Sequence, residues 1–188
     1  MYNYTPKQFK ITAINDLTAD TKLFRLAVNS FNFNPGQYVM VSVFGFGEGP
    51  FSITSSPTEK DYLDLTIRKV GCLTKAIHNL GAGETLGLRG PFGNGFPIHK
   101  FRHKKLTVIS GGCGLAPMRS LIHFAQDQKE YFDNLQILYG AKNPDELLYK
   151  DEIKKWQRFA EVILTVDKAN KSWSGNTGFI TNLVSTKT

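Results

Sequence analysis

The chain has 188 residues, 41% hydrophobic and 21% charged, which suits one large globular domain or two small ones with a real core. Its formal net charge of +7 fits an acidic partner protein, nucleic acid or phosphate ligands; no dense Lys/Arg stripe interleaved with aromatics occurs, so no nucleic-acid role is expected. Two cysteines without a C-x-x-C speak against a disulfide framework. Four histidines without metal spacing speak against a metal site, and no apolar run is long enough to enter a bilayer, so a reducing cytoplasm is expected.

Residues 7 to 90 read as short strands punctuated by turns. Phe24, Leu26 and Val28 alternate with Arg25 and Ala27. Val39, Val41 and Val43 alternate with Met40, Ser42 and Phe44. Leu63, Leu65 and Ile67 alternate with Asp64, Thr66 and Arg68. Apolar residues at every second position mark half-buried strands. Pro35-Gly36 marks a turn, and Leu86 and Leu88 form one more strand before Gly90-Pro91. One helix, at about Thr74 to Leu80, carries Leu73, Ile77 and Leu80 on one face, with Gly81 as its C-terminal cap. Such spacing predicts a small antiparallel barrel.

Two segments of this half look chemical. Gly49-Pro50-Phe51-Ser52-Ile53-Thr54-Ser55-Ser56-Pro57 follows a flexible glycine stretch, Gly45 to Gly49. A flat redox ring needs an apolar face and a hydrogen-bond partner at its reactive edge, which Phe51 and Ser52 could supply; a plain strand is the alternative. Arg68-Lys69-Val70-Gly71-Cys72-Leu73-Thr74 leads into the helix. Gly71 permits close backbone approach, Thr74 can cap the helix or meet an anion, and Arg68 and Lys69 add positive charge. A pyrophosphate would fit there, as would a bare cap and turn.

The turn-rich loop Gly90 to Pro97 ends the strands, and the basic run His99 to Lys105 reads as a solvated linker. The boundary falls there, giving residues 1–100 and 104–188. Leu106 to Ser110 then forms an apolar run, Gly111-Gly112-Cys113-Gly114-Leu115-Ala116-Pro117 a turn, and Met118, Leu121, Ile122 and Ala125 an amphipathic helix. Pro117 suits a first helical turn. Glycines before a helix N-terminus can cradle a dinucleotide, although Pro117 stands where a G-x-G-x-x-G fingerprint has its third glycine. Gln136 to Tyr139 reads as a strand ending at Gly140-Ala141-Lys142. Asn143-Pro144-Asp145 starts a helix with Tyr149, Ile153 and Trp156 on one face. Val162 to Val166 is a third strand ending at Asp167, a ribose contact or a solvated loop residue. Alternating strands and helices predict a parallel sheet with ligands beyond its carboxyl ends. Gly175 to Val184 could add one more turn of structure.

The ordered set P-F-S-I-T-S, G-C-L-T, G-P-F-G-N-G, G-G-C-G-L-A-P, Y-G-A-K, Y-K-D-E and T-V-D resembles the ferredoxin–NADP reductase-like flavoproteins. The similarity is greatest to the branch that holds hydrogenase gamma subunits and the corresponding anaerobic sulfite reductase subunits, and it covers about residues 7 to 184. It implies an antiparallel barrel that binds flavin, followed by a parallel α/β nucleotide-binding unit. Pro50 to Thr54 would be the flavin strand, with Phe51 packing on the ring and Ser52 as the catalytic hydroxyl near its reactive nitrogen. Val70 to Thr74 would hold the FAD pyrophosphate. Gly111, Gly112, Gly114, Ala116 and Pro117 would form the nicotinamide-dinucleotide turn, and Tyr139, Gly140, Ala141 and Lys142 would face adenosine.

Three departures accompany the resemblance. Gly49 stands where many relatives have an arginine on the flavin phosphate, which throws that load on Arg68 or helix amides and admits FMN as the alternative to FAD. No C-G-P type motif follows Val166. No C-terminal cysteine group is present, so no iron–sulfur cluster is expected in this chain, and the second unit is expected to be incomplete, either naturally short or truncated. The implied function is hydride transfer from NAD(P)H to flavin and electron transfer to an iron–sulfur or other redox partner. The alternative is a non-catalytic flavin or nucleotide module docking in a redox complex. No rival motif, such as G-x-S-x-G, H-E-x-x-H or a P-loop, is present.

Overall fold

The computed structural model describes residues 5–185. The first six strands are β1 (Lys7–Asp16), β2 (Thr21–Ala27), β3 (Tyr38–Val43), β4 (Gly47–Ser52), β5 (Tyr62–Arg68) and β6 (Thr85–Phe92). They form one antiparallel sheet in the order β4-β3-β6-β1-β2-β5. A bridge between Ile53 and Leu65 and the bond from Thr54 N to Asp64 O, 2.9 Å, bring its two outer strands together, so the sheet curls into a barrel. Ile11, Phe24, Leu26, Val41, Leu65 and Leu86 fill the interior with no exposed surface. Each contributes about 1.5–3 kcal/mol by leaving water, and Leu26→Ala would cost about 2–5 kcal/mol.

The glycine stretch read as flexible is a tight hairpin turn. Gly45 and Gly47 take positive φ of 82° and 88°, and β4 starts at Gly47. Pro50 is tolerated because β4 is an outer strand, where a missing N–H need not break a ladder. α1 (Cys72–His78) begins two residues before the expected start. Its N-cap is Gly71, so Thr74 is the third helical residue rather than the cap. The Thr74 hydroxyl turns back and accepts from Val70 N at 2.9 Å and Gly71 N at 2.8 Å. The helix ends through Asn79 in right-handed conformation; Gly81 is not its cap and instead donates its amide to Glu84.

The second half contains β7 (Lys105–Gly111), α2 (Leu115–Asp127), β8 (Asn134–Ala141), α3 (Lys150–Trp156), β9 (Glu161–Val166), β10 (Asn176–Thr177) and α4 (Ile180–Ser185). Its parallel sheet runs β10-β9-β8-β7, one strand more than the three expected, because the tail supplies β10. The basic run is more than a solvated linker: Ile98 and Phe101 lie in a 3-10 turn and pack against the second core. Asn143 caps a short 3-10 turn, accepting from Asp145 N and Glu146 N, and α3 starts only after Tyr149. Leu147, Leu148 and Tyr149 are all buried. One helix cannot bury three consecutive side chains on a single face, so the chain breaks there, with Tyr149 at φ 54°.

Candidate functional site

The carboxyl ends of β7, β8 and β9 open on a cleft of about 340 Å³. Arg68, Gly111, Gly112, Gly140, Ala141, Lys142 and Asp167 line it together, joined by Glu146, Phe179 and Ile180. Seven residues singled out from sequence are thus brought together, although Arg68 comes from the barrel and the others from the parallel sheet. Glu146, Phe179 and Ile180 carried no motif and reach the cleft only through the turn after β8 and the packing of α4. An added Cβ on Gly140 would lie 3.0 Å from Ile180, so glycine here admits α4 to the sheet.

The backbone at Gly111 and Gly112 faces open space, and Gly112 has φ +50°. Beneath the turn, the Ser110 hydroxyl is buried without a hydrogen-bond partner. An open glycine backbone, an orphaned hydroxyl and the start of α2 with Ala116 and Pro117 in its first turn together fit a dinucleotide phosphate. Tyr139, expected to face adenosine, is instead fully buried. Its hydroxyl donates to Gly112 O at 3.3 Å and accepts from Leu148 N at 3.1 Å, bracing the turn from below, and burial pushes its pKa up to about 12.

On the barrel side Phe51 and Ser52 are half-buried at the end of outer strand β4. Ile53 and Thr54 have no exposed surface, and the Thr54 hydroxyl, like that of Ser110, is buried without a hydrogen-bond partner. An added Cβ on Gly49 would lie 3.1 Å from Leu73 Cδ2; Leu73 occupies the room an arginine stem would need. Gly71 faces open space, and Val70 is exposed. The amides of Val70 and Gly71 are taken up by Thr74, and Cys72, Leu73 and Thr74 precede the first intrahelical donor, Lys75, which bonds Gly71 O. Arg68 is paired with Asp20 at 2.6 Å, both side chains well exposed. The residues present therefore fit a flavin, with Arg68 and backbone amides, rather than a side chain at position 49, available for its phosphates.

Sequence patterning missed the groups between the two halves. Asp64 and Thr66, which alternate with the core residues of their strand, point toward the second half rather than open water. Asp64 is fully buried and accepts both Nε and Nη2 of Arg25, at 2.8 and 2.9 Å. Arg119 of α2, 4% exposed, donates Nη1 to Asp64 Oδ2 at 3.1 Å and to the Thr54 carbonyl at 2.8 Å. Its Nε and Nη2 each meet Glu152 of α3 at 2.7 Å, and His123 donates to the same carboxylate at 2.9 Å. Burial disfavours the Glu152 charge, but the hydrogen bonds of His123 and Arg119 and the arginine charge overcome it and lower its pKa to about 2. The signal was present in sequence: Arg119 and Glu152 interrupt apolar helical stripes, at i−3 from Ile122 and i+3 from Tyr149. Among the described residues no group of three or more His, Cys, Asp or Glu could hold a metal, and no helix is long and apolar enough to cross a membrane.

Residues 8–96 match the Oxidoreductase FAD-binding domain family and residues 108–188 the Oxidoreductase NAD-binding domain family. The chain is 40% identical over 159 residues to the Sulfhydrogenase 2 subunit gamma of Pyrococcus furiosus, covering 81% of this chain and 54% of that protein. It is 30% identical over 174 residues to the probable dihydroorotate dehydrogenase B (NAD(+)), electron transfer subunit, of Thermococcus kodakarensis, covering 93% and 66%. It therefore spans about half to two-thirds of the length of these curated relatives. Among solved structures, the ferredoxin reductase in carbazole 1,9a-dioxygenase superposes with a TM-score of 0.81 at 25% identity, over 96% of this chain and 56% of that one. With an FAD-binding barrel preceding an NAD-binding sheet, the chain belongs to the ferredoxin reductase-like FAD- and NAD-binding oxidoreductases, homologous to sulfhydrogenase gamma and dihydroorotate dehydrogenase B electron transfer subunits.

Proposed function

We propose that the chain moves hydride from NAD(P)H to FAD and passes single electrons to a partner subunit that carries an iron–sulfur cluster or another one-electron centre. The observation that carries this reading is the shared cleft, where Arg68 of the FAD-binding half stands beside Gly111 and Gly112 of the NAD-binding half. Bound FAD supplies a ring that accepts two electrons and releases them singly. Phe51 offers that ring an apolar face, and Ser52 is the hydroxyl that orients its reactive edge. The amides of Cys72 and Leu73 and the backbone at Gly71 take the FAD phosphates. Gly111, Gly112 and Gly114, with the α2 start at Ala116 and Pro117, take the nicotinamide dinucleotide's phosphates, helped by Arg68. Ala141 and Lys142 flank the adenosine half, and Asp167 accepts from a ribose hydroxyl. The relatives' names as subunits support a partner. A reducing cytoplasm, in which Cys72 and Cys113 stay as thiols, suits the reading.

The test is reconstitution followed by anaerobic single turnover. The chain is expected to acquire a flavin absorption band with FAD and to bleach with NADH or NADPH. Ser52→Ala is expected to retain FAD and to slow bleaching roughly 100–1000-fold, the scale for losing an oriented hydrogen bond at a reacting centre. A chain that binds neither FAD nor FMN contradicts the proposal. A chain that binds flavin yet never bleaches supports a non-catalytic docking module instead.

A further inference from the structure

The flavin strand and the dinucleotide turn belong to different sheets, and hydride transfer tolerates little error between them: a misplacement of about 1 Å can cost roughly 100-fold in rate. Two successive outward residues of β5 grip the second half. Asp64 meets Arg119 of α2 and Thr66 bonds the Tyr149 hydroxyl at 2.6 Å just before α3, while Arg68, the next outward residue, lines the cleft beside the glycine turn. Tyr149 is held there in the left-handed region, a conformation that persists only where the surroundings impose it.

Arg119 is the centre of this joint. It stands one turn into the helix that begins at the glycine turn, and its Nη1 holds the carbonyl of Thr54, two residues beyond Ser52. Asp127 holds the far end of α2, accepting from Ser56 Oγ and Thr58 Oγ1 at 2.6 Å each. α2 is thus pinned to the continuation of the flavin strand at both ends. An apolar filling of the same volume could stabilise such a joint as well as an ion pair does, so what the guanidinium adds here is directional bonding. The guanidinium fork bonds three partners at once and fixes both rotation and distance.

We propose that Arg119 is a positioning residue: it keys α2 to the end of the flavin strand and so sets the approach of the nicotinamide turn to Ser52. The proposal rests on the functional reading above for its consequence, but not for its geometry. Cys72 and Cys113 are the chain's only cysteines, both exposed, one in each half. Nitroxides on the two therefore report the joint by dipolar EPR with no cofactor present. The wild-type chain is expected to give one narrow distance distribution, and Arg119→Met to widen it at least about two-fold. In unlabelled, FAD-loaded chain, Arg119→Met is expected to slow flavin reduction at saturating NADH roughly 10–100-fold. The half-saturating NADH concentration should move less than about threefold, since the phosphate contacts remain. Arg119→Lys keeps the charge opposite Asp64 and Glu152 and loses the fork. It supplies the folded comparison should the methionine variant not fold, with the same changes in smaller degree. An unchanged distribution, or a widened one with an unchanged reduction rate, overturns the proposal. If wild-type flavin is not reduced at all, the functional reading fails, while the EPR comparison still decides whether Arg119 fixes the joint.

Discussion

Two arginines of similar chemistry sit at opposite depths between the barrel and the parallel sheet. Around Arg119 the halves meet closely, with 4% of its side chain and none of Asp64 exposed. Around Arg68 they leave an opening to solvent, with 47% of its side chain and 40% of Asp20 exposed. A buried ion pair in which each guanidinium nitrogen is bonded does not exchange partners readily, because removing one partner strands the other charge. An exposed pair is worth about 1 kcal/mol or less and is screened by salt, so Arg68 can exchange Asp20 for another anion. One region fixes geometry, and the other stays available for binding.

The comparison breaks most readily at Arg119. Arg119→Met leaves Asp64 and Glu152 without their shared cation and should cost about 3–5 kcal/mol. In a chain of this size that lowers the melting temperature by roughly 10 °C, readable by calorimetry. Acid attacks the same joint. The Glu152 pKa falls from an ordinary 4.5 to about 2 on folding, so its contribution is complete above the unfolded value. It is lost as pH falls from about 4.5 toward 2, on the order of 3 kcal/mol. Denaturant titrations across that window should show the loss, and Glu152→Gln should flatten it. Phe51→Ala removes the apolar face and should weaken FAD binding about 10–50-fold by fluorescence titration, with the barrel core intact. Replacing Ser56 and Thr58 by alanine frees Asp127, which still meets water, and should cost about 1 kcal/mol per bond lost. Arg68→Gln should be the mildest for stability, within about 1 kcal/mol. It should raise the dinucleotide dissociation constant several-fold at low salt and less at high salt.

The contrast also explains what patterning could read. Period-two alternation located the core of the barrel strands, because Leu63, Leu65 and Ile67 must leave water wherever the outer face points. It could not tell that Asp64 on the other face is buried too, since that burial depends on α2 arriving from 55 residues away. The glycine turn was legible because an open backbone and a helix start are local features. Tyr139 differs from its neighbours Gly140 and Ala141, which reach the cleft, because it lies deeper in β8 and its ring is drawn under the turn by hydroxyl bonds to Gly112 and Leu148. The break before α3 arose from a conflict between helical periodicity and three consecutive buried residues, which only packing resolves.

Anaerobic titration of the FAD-loaded chain with NADH asks whether hydride passes between the two halves, because it needs both of them and no partner. The visible flavin band is expected to bleach in proportion to added NADH until it is exhausted. Flavin that stays bound and fully oxidised under excess NADH and NADPH would contradict that transfer.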